Sequence, residues 1–258
     1  MSAVLTATGD LSRLVVRNLR RELRILDGLI VNTALPVIIM VLFVYVFGGA
    51  ITTGSSGLAY IDFVVPAVLL MSGGYGAALT AVNIADDMTA GMIDRFRTLP
   101  IGGWVVPTGH VVASVVRNVA ASGFALLAAV IMGFRPNATP ADWALVLAVV
   151  TGYVLAMSSL AVLWGLLVTS AQAAGAFSFV VLFLPYLSDG VVPAETMPDV
   201  LRDFAYNQPT TPIVATLRSL LLDQPMGSSG ALAAAWLAGT VLVSAPIAAL
   251  LFRRRTSA

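Results

Sequence analysis

The chain has 258 residues, of which 59% are apolar and only 10% charged, and its mean hydropathy is +0.94. Ordinary soluble domains carry about 25% charge, so this composition points to an integral membrane protein. There is no Cys, a single histidine (His110) and no lysine, all 14 basic residues being arginine, which excludes disulfides, thiolate chemistry, a multi-His zinc site and the usual lysine-bearing phosphate loop.

Residues 11–26, LSRLVVRNLRRELRIL, read as an amphipathic helix. Arg13, Arg17, Arg20, Arg21 and Arg24 recur at helical spacing on one face, and Leu11, Val15, Leu19, Leu23 and Leu26 on the other. This pattern predicts a helix lying in the membrane interface, a rigid elbow on the inner leaflet; a plain topology signal would leave the same arginines. No small-residue cleavage site follows a short apolar core in residues 1–27, so the segment is expected to be retained.

A membrane-crossing helix needs roughly 20 apolar residues. Six runs qualify, at about residues 28–47, 60–82, 111–134, 143–168, 173–192 and 231–252. The expected fold class is therefore an all-α membrane protein with six transmembrane helices in one transmembrane domain, residues 1–258. Pro36, Pro66, Pro185 and Pro246 lie inside these runs, as bundles tolerate when neighbours re-satisfy the freed carbonyl. The fifth run is the least regular, because LPYLSDG breaks it near its end. The motif GSSG, at 54–57 and 227–230, reads as two small-residue turns.

Orientation follows from the arginines. Ten of them (Arg13, Arg17, Arg20, Arg21, Arg24, Arg95, Arg97 and Arg253 to Arg255) fall on one side of a six-span chain, and Arg135, Arg202 and Arg218 on the other. The first side is expected to be cytoplasmic, with both termini there. Arg117 is expected to snorkel from the start of the third span.

Between spans two and three lies DDMTAGMIDRFRTLPI, residues 86–101. Met88, Met92, Phe96 and Leu99 form one apolar face at helical spacing, with Asp86, Asp87, Asp94, Arg95 and Arg97 around it. Acids lead and arginines trail, as the helix dipole favours. Pro100 ends the helix. Gly91 in mid-helix costs roughly 1 kcal/mol against Ala, and close approach of another backbone is the usual compensation. Residues 86–99 thus read as a short helix whose Met-rich face suits either a soluble partner or lipid; periodicity leaves both open.

Before the last run, residues 193–230 form an outer insertion cut by prolines. Within it TTPIVATLRSLL predicts a helix capped by Thr210 or Thr211, with Pro212 in its first turn. Its stripe of Ile213, Leu217, Leu220 and Leu221 suggests a helix that dips into or rests on the outer interface.

Other chemistry finds little support. MSGGYG, residues 71–76, is like the Ser-Gly-Gly signature of ATP-cassette ATPases but lies inside an apolar run, where small residues let helices approach closely. His110 is expected near the cytoplasmic end of span three, and Asp62 and Asp189 near the outer surface; these make a poor set for an intramembrane protease. Asn32 and Asn118 with little deep charge argue against an ion-coupled secondary transporter.

AGMIDRFRTLPI strongly resembles the cytoplasmic loop after the second span of type-2 ABC exporter permeases, particularly the daunorubicin-resistance-like branch. The matching residues are Gly91, Asp94, Arg95, Phe96, Arg97, Leu99, Pro100 and Ile101, with the relatives' acid falling at Asp86 or Asp87. The short TSAQ inner loop and NQPTTP before the final span are similar to family elements as well. The resemblance implies a coupling helix at residues 86–99, with Asp87, Met88, Gly91, Met92, Asp94, Arg95, Phe96, Arg97, Leu99 and Pro100 engaging two copies of a cytosolic ABC ATPase. It implies a second permease subunit (a homo- or heterodimer), ATP and Mg bound by the ATPase alone, and no catalytic site, cofactor or metal on this chain. A bacterial plasma-membrane location, surrounding lipid and no nucleic-acid partner complete the expectation. The cargo implied is a hydrophobic drug or lipid-like compound, with a lipid-linked glycan as the alternative.

Overall fold

The computed structural model describes residues 14–20, 26–51, 53, 57–89 and 104–257. Every regular element among them is helical. Helix α1 covers residues 14–20. Helix α2, Leu26–Val41, runs on into a π-helix, Leu42–Phe47. Then come α3 (Tyr60–Thr89), α4 (Val105–Ile131), α5 (Pro140–Leu167), α6 (Ala171–Gly175) and α7 (Phe177–Tyr186). A 3-10 turn at Ala194–Thr196 leads to α8 (Asp199–Asn207), α9 (Thr210–Leu222) and α10 (Ser229–Ser257).

Helices α3, α4, α5 and α10 have 30, 27, 28 and 29 residues. At 1.5 Å per residue each exceeds the ~30 Å hydrocarbon layer. Those four are long and apolar enough to cross a membrane. They coincide with the second, third, fourth and sixth expected runs: α3 runs seven residues further at its C-terminus, α4 and α5 begin six and three residues earlier and end three and one earlier, and α10 is longer at both ends.

The fifth expected span, 173–192, is not one helix. Ser170 caps α6 through its Oγ, which accepts from the Ala173 N–H at 3.2 Å. The helix is interrupted at Ala176, and α7 is only 10 residues long, about 15 Å. Pro185 removes a backbone donor in the last turn of α7. The Ser188 hydroxyl then donates to Pro185 O at 2.6 Å. The chain turns through residues 187–192, where Tyr60 Oη donates to Val191 O at 3.0 Å. The first expected span, 28–47, falls on α2 with its π-helical continuation, which is not among the four long helices.

Helix α3 is the central post, packed by α2, α4, α5, α6, α7 and α9. Every residue from Phe63 to Gly74 is buried, the pattern of a helix apolar on all sides. The small residues of MSGGYG do what helix packing asks of them. A Cβ on Gly73 would meet Val154 Cγ2 at 2.8 Å, and one on Gly74 would meet Val181 Cγ1 at 2.4 Å. From the facing side, a Cβ on Gly165 of α5 would meet Ala81 O at 2.4 Å.

Helix α5 starts where a capping box dictates. Thr139 Oγ1 accepts from the Asp142 N–H at 3.2 Å, and the Asp142 carboxylate accepts from the Thr139 N–H at 2.9 Å. Pro140 occupies the first turn.

The outer insertion folds back into the bundle. Ile213, Val214, Leu217, Leu220 and Leu221 of α9 are buried against α3, α5 and α10, so α9 is a core element rather than a helix resting on the interface. Neither Thr210 nor Thr211 caps it. Pro209 takes the cap position with no side-chain bond, and Thr211 Oγ1 donates instead to Ala205 O. Pro212 does lie in the first turn. At the C-terminus Asp223 adopts left-handed φ of 52°, which a short polar side chain accommodates.

Candidate functional site

The site is built at the end of the bundle that carries α1, the last turn of α3, the first turns of α4 and the C-terminus of α10. A small apolar cluster holds these elements together. Ile84, Val106, Val162, Leu166, Ala248 and Phe252 form its core, with Leu14 and Met88 packed on it. Gly109 makes room for α1, since a Cβ there would sit 3.2 Å from Leu14 Cβ.

Asp87 is 4% exposed in the last turn of α3. Its Oδ2 accepts from Arg17 Nη2 at 3.3 Å and lies 3.1 Å from His110 Nε2. One carboxylate oxygen therefore ties together α1, α3 and α4. Arg17 is still a third exposed, whereas His110 is buried.

The wheel reading of residues 11–26 needs correcting here. It placed Arg17 on a basic face with the other arginines, but Arg17 is only a third exposed and turns toward Asp87, and Asn18 beside it is buried. Arg20 is exposed as expected. Arg13, Arg21 and Arg24 lie outside the described residues.

The expected coupling segment is only partly described. Asp86, Asp87, Met88 and Thr89 are the end of α3. Met88 packs against the apolar cluster inside the bundle. Gly91, Met92, Asp94, Arg95, Phe96, Arg97, Leu99 and Pro100 lie outside the described residues.

From His110 a line of polar side chains continues up the buried face of α4 at four-residue spacing. Ser114 Oγ lies 2.8 Å from Ser158 Oγ of α5, and Asn118 Nδ2 donates to Ser114 Oγ at 2.9 Å. Ser122 Oγ donates to Leu69 O at 3.3 Å. Arg117 shares this face. Its Nη2 donates to Gly76 O at 2.7 Å and also lies 3.4 Å from Thr80 Oγ1.

Arg117 therefore does not snorkel. It is 7% exposed at the middle of a 27-residue helix, facing the glycine-rich turn of α3. Guanidinium suits such a place because its charge is delocalised and its donors form a fixed fork. The sequence reading assigned the deep positions too little polarity. The available signal was the spacing of His110, Ser114, Arg117, Asn118 and Ser122 on one helical stripe.

Arg218, placed on the outer side by arginine counting, is also buried. It clamps α9 to α3 at the opposite end. Nη2 donates to Phe63 O at 3.1 Å and to Asp189 O at 2.8 Å, while the guanidinium lies 4.0 Å over the Phe63 ring. Asp189 is thus engaged by Arg218, and its Oδ1 accepts from the Ala194 N–H at 2.8 Å.

Charged and polar groups join separate helices, and the polar line reaches from one end of the bundle to its middle. With four helices of membrane-crossing length around it, the class is that of a helical multi-pass membrane protein. The chain belongs to the ABC-2 type transporter family, whose model matches residues 10–222. It is 27% identical over 229 residues to the daunorubicin resistance ABC transporter permease protein DrrB1 of Streptomyces coeruleorubidus, covering 86% of this chain and 78% of that protein. It is 23% identical over 250 residues to the probable doxorubicin resistance ABC transporter permease protein DrrC of Mycobacterium tuberculosis, covering 95% and 87%. The resemblance carried by AGMIDRFRTLPI led to the same family. Membership makes this chain a transmembrane permease and implies partnership with an ATPase subunit and a second permease.

Proposed function

We propose that this chain is the membrane subunit of an ATP-driven exporter in a bacterial plasma membrane, with both termini cytoplasmic. It moves a hydrophobic drug or lipid-like compound outward. Two copies of a separate ATPase bind ATP and Mg and seat residues 86–99 in a surface groove. Two permeases together enclose the path.

The observation that supports this most is the shared carboxylate of Asp87. A push on the segment after Thr89 reaches α3 directly, α1 through Arg17 and α4 through His110. From α4 it reaches Arg117 and the glycine-rich turn of α3. ATP binding to the partner then biases a two-state bundle, because the partner binds one arrangement more tightly than the other.

The test is reconstitution of the chain with its co-purifying ATPase in vesicles. ATP-dependent movement of daunorubicin, followed by its own fluorescence, is the expected result. Nucleotide-independent uphill movement by the chain alone would overturn the reading. So would labelling that places residues 86–101 outside the cell.

A further inference from the structure

A groove of about 150 Å3 runs between α4, α5 and α10 at the arginine-rich end. Its walls include Thr108 of α4, Ser159 of α5, and Val241, Ala245 and Ala249 of α10, and Trp104 stands at one end. From Val241 to Ala249 it extends roughly 12 Å along α10 at 1.5 Å per residue. The lining is overwhelmingly apolar. Val112 and Val116 on α4 and Leu242 on α10, beside it in sequence, are exposed; in a membrane protein such a surface meets acyl chains.

The charges at its end define the occupant. Arg253 follows Ala249 by four residues, and Arg255 follows Ala248 by seven, so both fall on the helix face that lines the groove. Both are exposed, and Arg255 Nη2 reaches Leu167 O at 3.5 Å, at the end of α5. Trp104 is 47% exposed just before the start of α4, and indole rings favour the boundary between headgroups and hydrocarbon. An apolar trough, an interfacial indole and two guanidiniums one turn beyond are complementary to one amphiphile: an acyl chain below an anionic phosphate.

We propose that this groove seats an anionic phospholipid, with one acyl chain along Val241, Ala245 and Ala249 and the phosphate at Arg253 and Arg255. The seat requires only that the chain sit in a bilayer. It does not rest on the exporter reading, and its test involves neither ATPase nor transport.

The experiment uses the purified full chain in phosphatidylcholine nanodiscs doped with acyl-brominated lipid. Brominated phosphatidylglycerol is compared with brominated phosphatidylcholine as a quencher of tryptophan fluorescence, and the Trp104→Phe variant isolates the Trp104 signal. A basic residue near the headgroups favours anionic lipid roughly five-fold. Two predict half-quenching of Trp104 by phosphatidylglycerol at a mole fraction at least ~10-fold lower than by phosphatidylcholine. Changing Arg253 and Arg255 to Gln, both on the surface, should bring the two lipids level. Ala245→Phe keeps both arginines but fills the trough, and should also remove the tight phase. Equal quenching by the two lipids in the unmodified chain overturns the proposal. So does a preference that survives Ala245→Phe, or a Trp104 shielded from both lipids, as a second copy seated on the groove would leave it.

Discussion

Arg17 of α1 meets Asp87 in the last turn of α3 at 3.3 Å, across 70 residues of sequence. The helix expected to form an interfacial elbow is thereby pinned to the start of the proposed coupling segment. His110 shares the same carboxylate oxygen from α4 at 3.1 Å. Replacing Asp87 by Asn keeps the shape but removes the charge that two neighbours face. Hydrogen bonds to charged groups are worth about 1.5–3 kcal/mol, so a lower thermal unfolding midpoint in detergent is expected. Arg17→Gln should lower it less, because Arg17 is a third exposed and screened by water. ATP-driven export should fall further than stability in Asp87→Asn while the ATPase still co-purifies. Export and midpoint both equal to the parent chain would remove Asp87 from the coupling path.

Arg117 offers a sharper separation of packing from charge. Its fork reaches Gly76 O and Thr80 Oγ1 across the α3–α4 contact. Arg117→Met strands those acceptors in the interior, at a cost of about 1–3 kcal/mol each. Arg117→Lys keeps the charge as a single point and cannot reproduce the fork. The expected order of thermal midpoints in detergent is Arg, then Lys, then Met. A Met variant as stable as the parent would show that the buried guanidinium is not holding α3 to α4.

The sequence made the long helices plain, because runs of apolar residues longer than a bilayer is thick have few other readings. It also located the close-packed glycines of α3, since small residues inside an apolar run have one common use. It misled at Arg117, where a lone arginine near a helix end and one inside a bundle look alike until the helix start is fixed. Helix α4 begins at Val105 rather than residue 111, which shifts Arg117 from the edge to the middle. It misled at Arg17 as well, because a wheel assigns faces by average polarity and cannot see that Asp87 waits on another helix. For α9, amphipathic spacing described a helix with one apolar face, but the depth to which it is buried depends on α3, α5 and α10. The coupling role proposed for residues 86–99 came only through resemblance, periodicity having left lipid and protein partners equal, and residues 90–99 lie outside the described residues.

Two glycines test the packing directly. A Cβ on Gly165 would lie 2.4 Å from the carbonyl oxygen of Ala81, whereas one on Gly123 meets nothing within 4 Å. Backbone cannot step aside as a flexible side chain can. Gly165→Ala should therefore push α5 from α3 and cost about 1–3 kcal/mol, as overpacking does. Gly123→Ala should be neutral or stabilising by up to ~1 kcal/mol, because Ala is the better helix former. Thermal midpoints measured side by side decide it. Equal values for the two variants would mean that the α3–α5 contact is looser than this geometry.

The last prediction concerns the partner's grip. Met88 packs inward on the bundle, so the proposed ATPase face is tested at the next two residues of the expected stripe, Met92 and Phe96. A flexible thioether and an aromatic ring make good anchors in a partner's groove, and a carboxylate there would be desolvated without a counter-charge. Changing Met92 and Phe96 together to Asp should remove at least about 2 kcal/mol of docking energy, roughly a 30-fold loss in affinity, while membrane insertion is retained. Gly91→Leu should instead leave docking measurable but uncouple hydrolysis from export, because it adds bulk at the position where a glycine is expected to admit another backbone. Co-purification of the ATPase, read against its turnover and export in vesicles, separates the two effects. Normal recovery of the ATPase with the double Asp variant would place the docking face elsewhere on the chain.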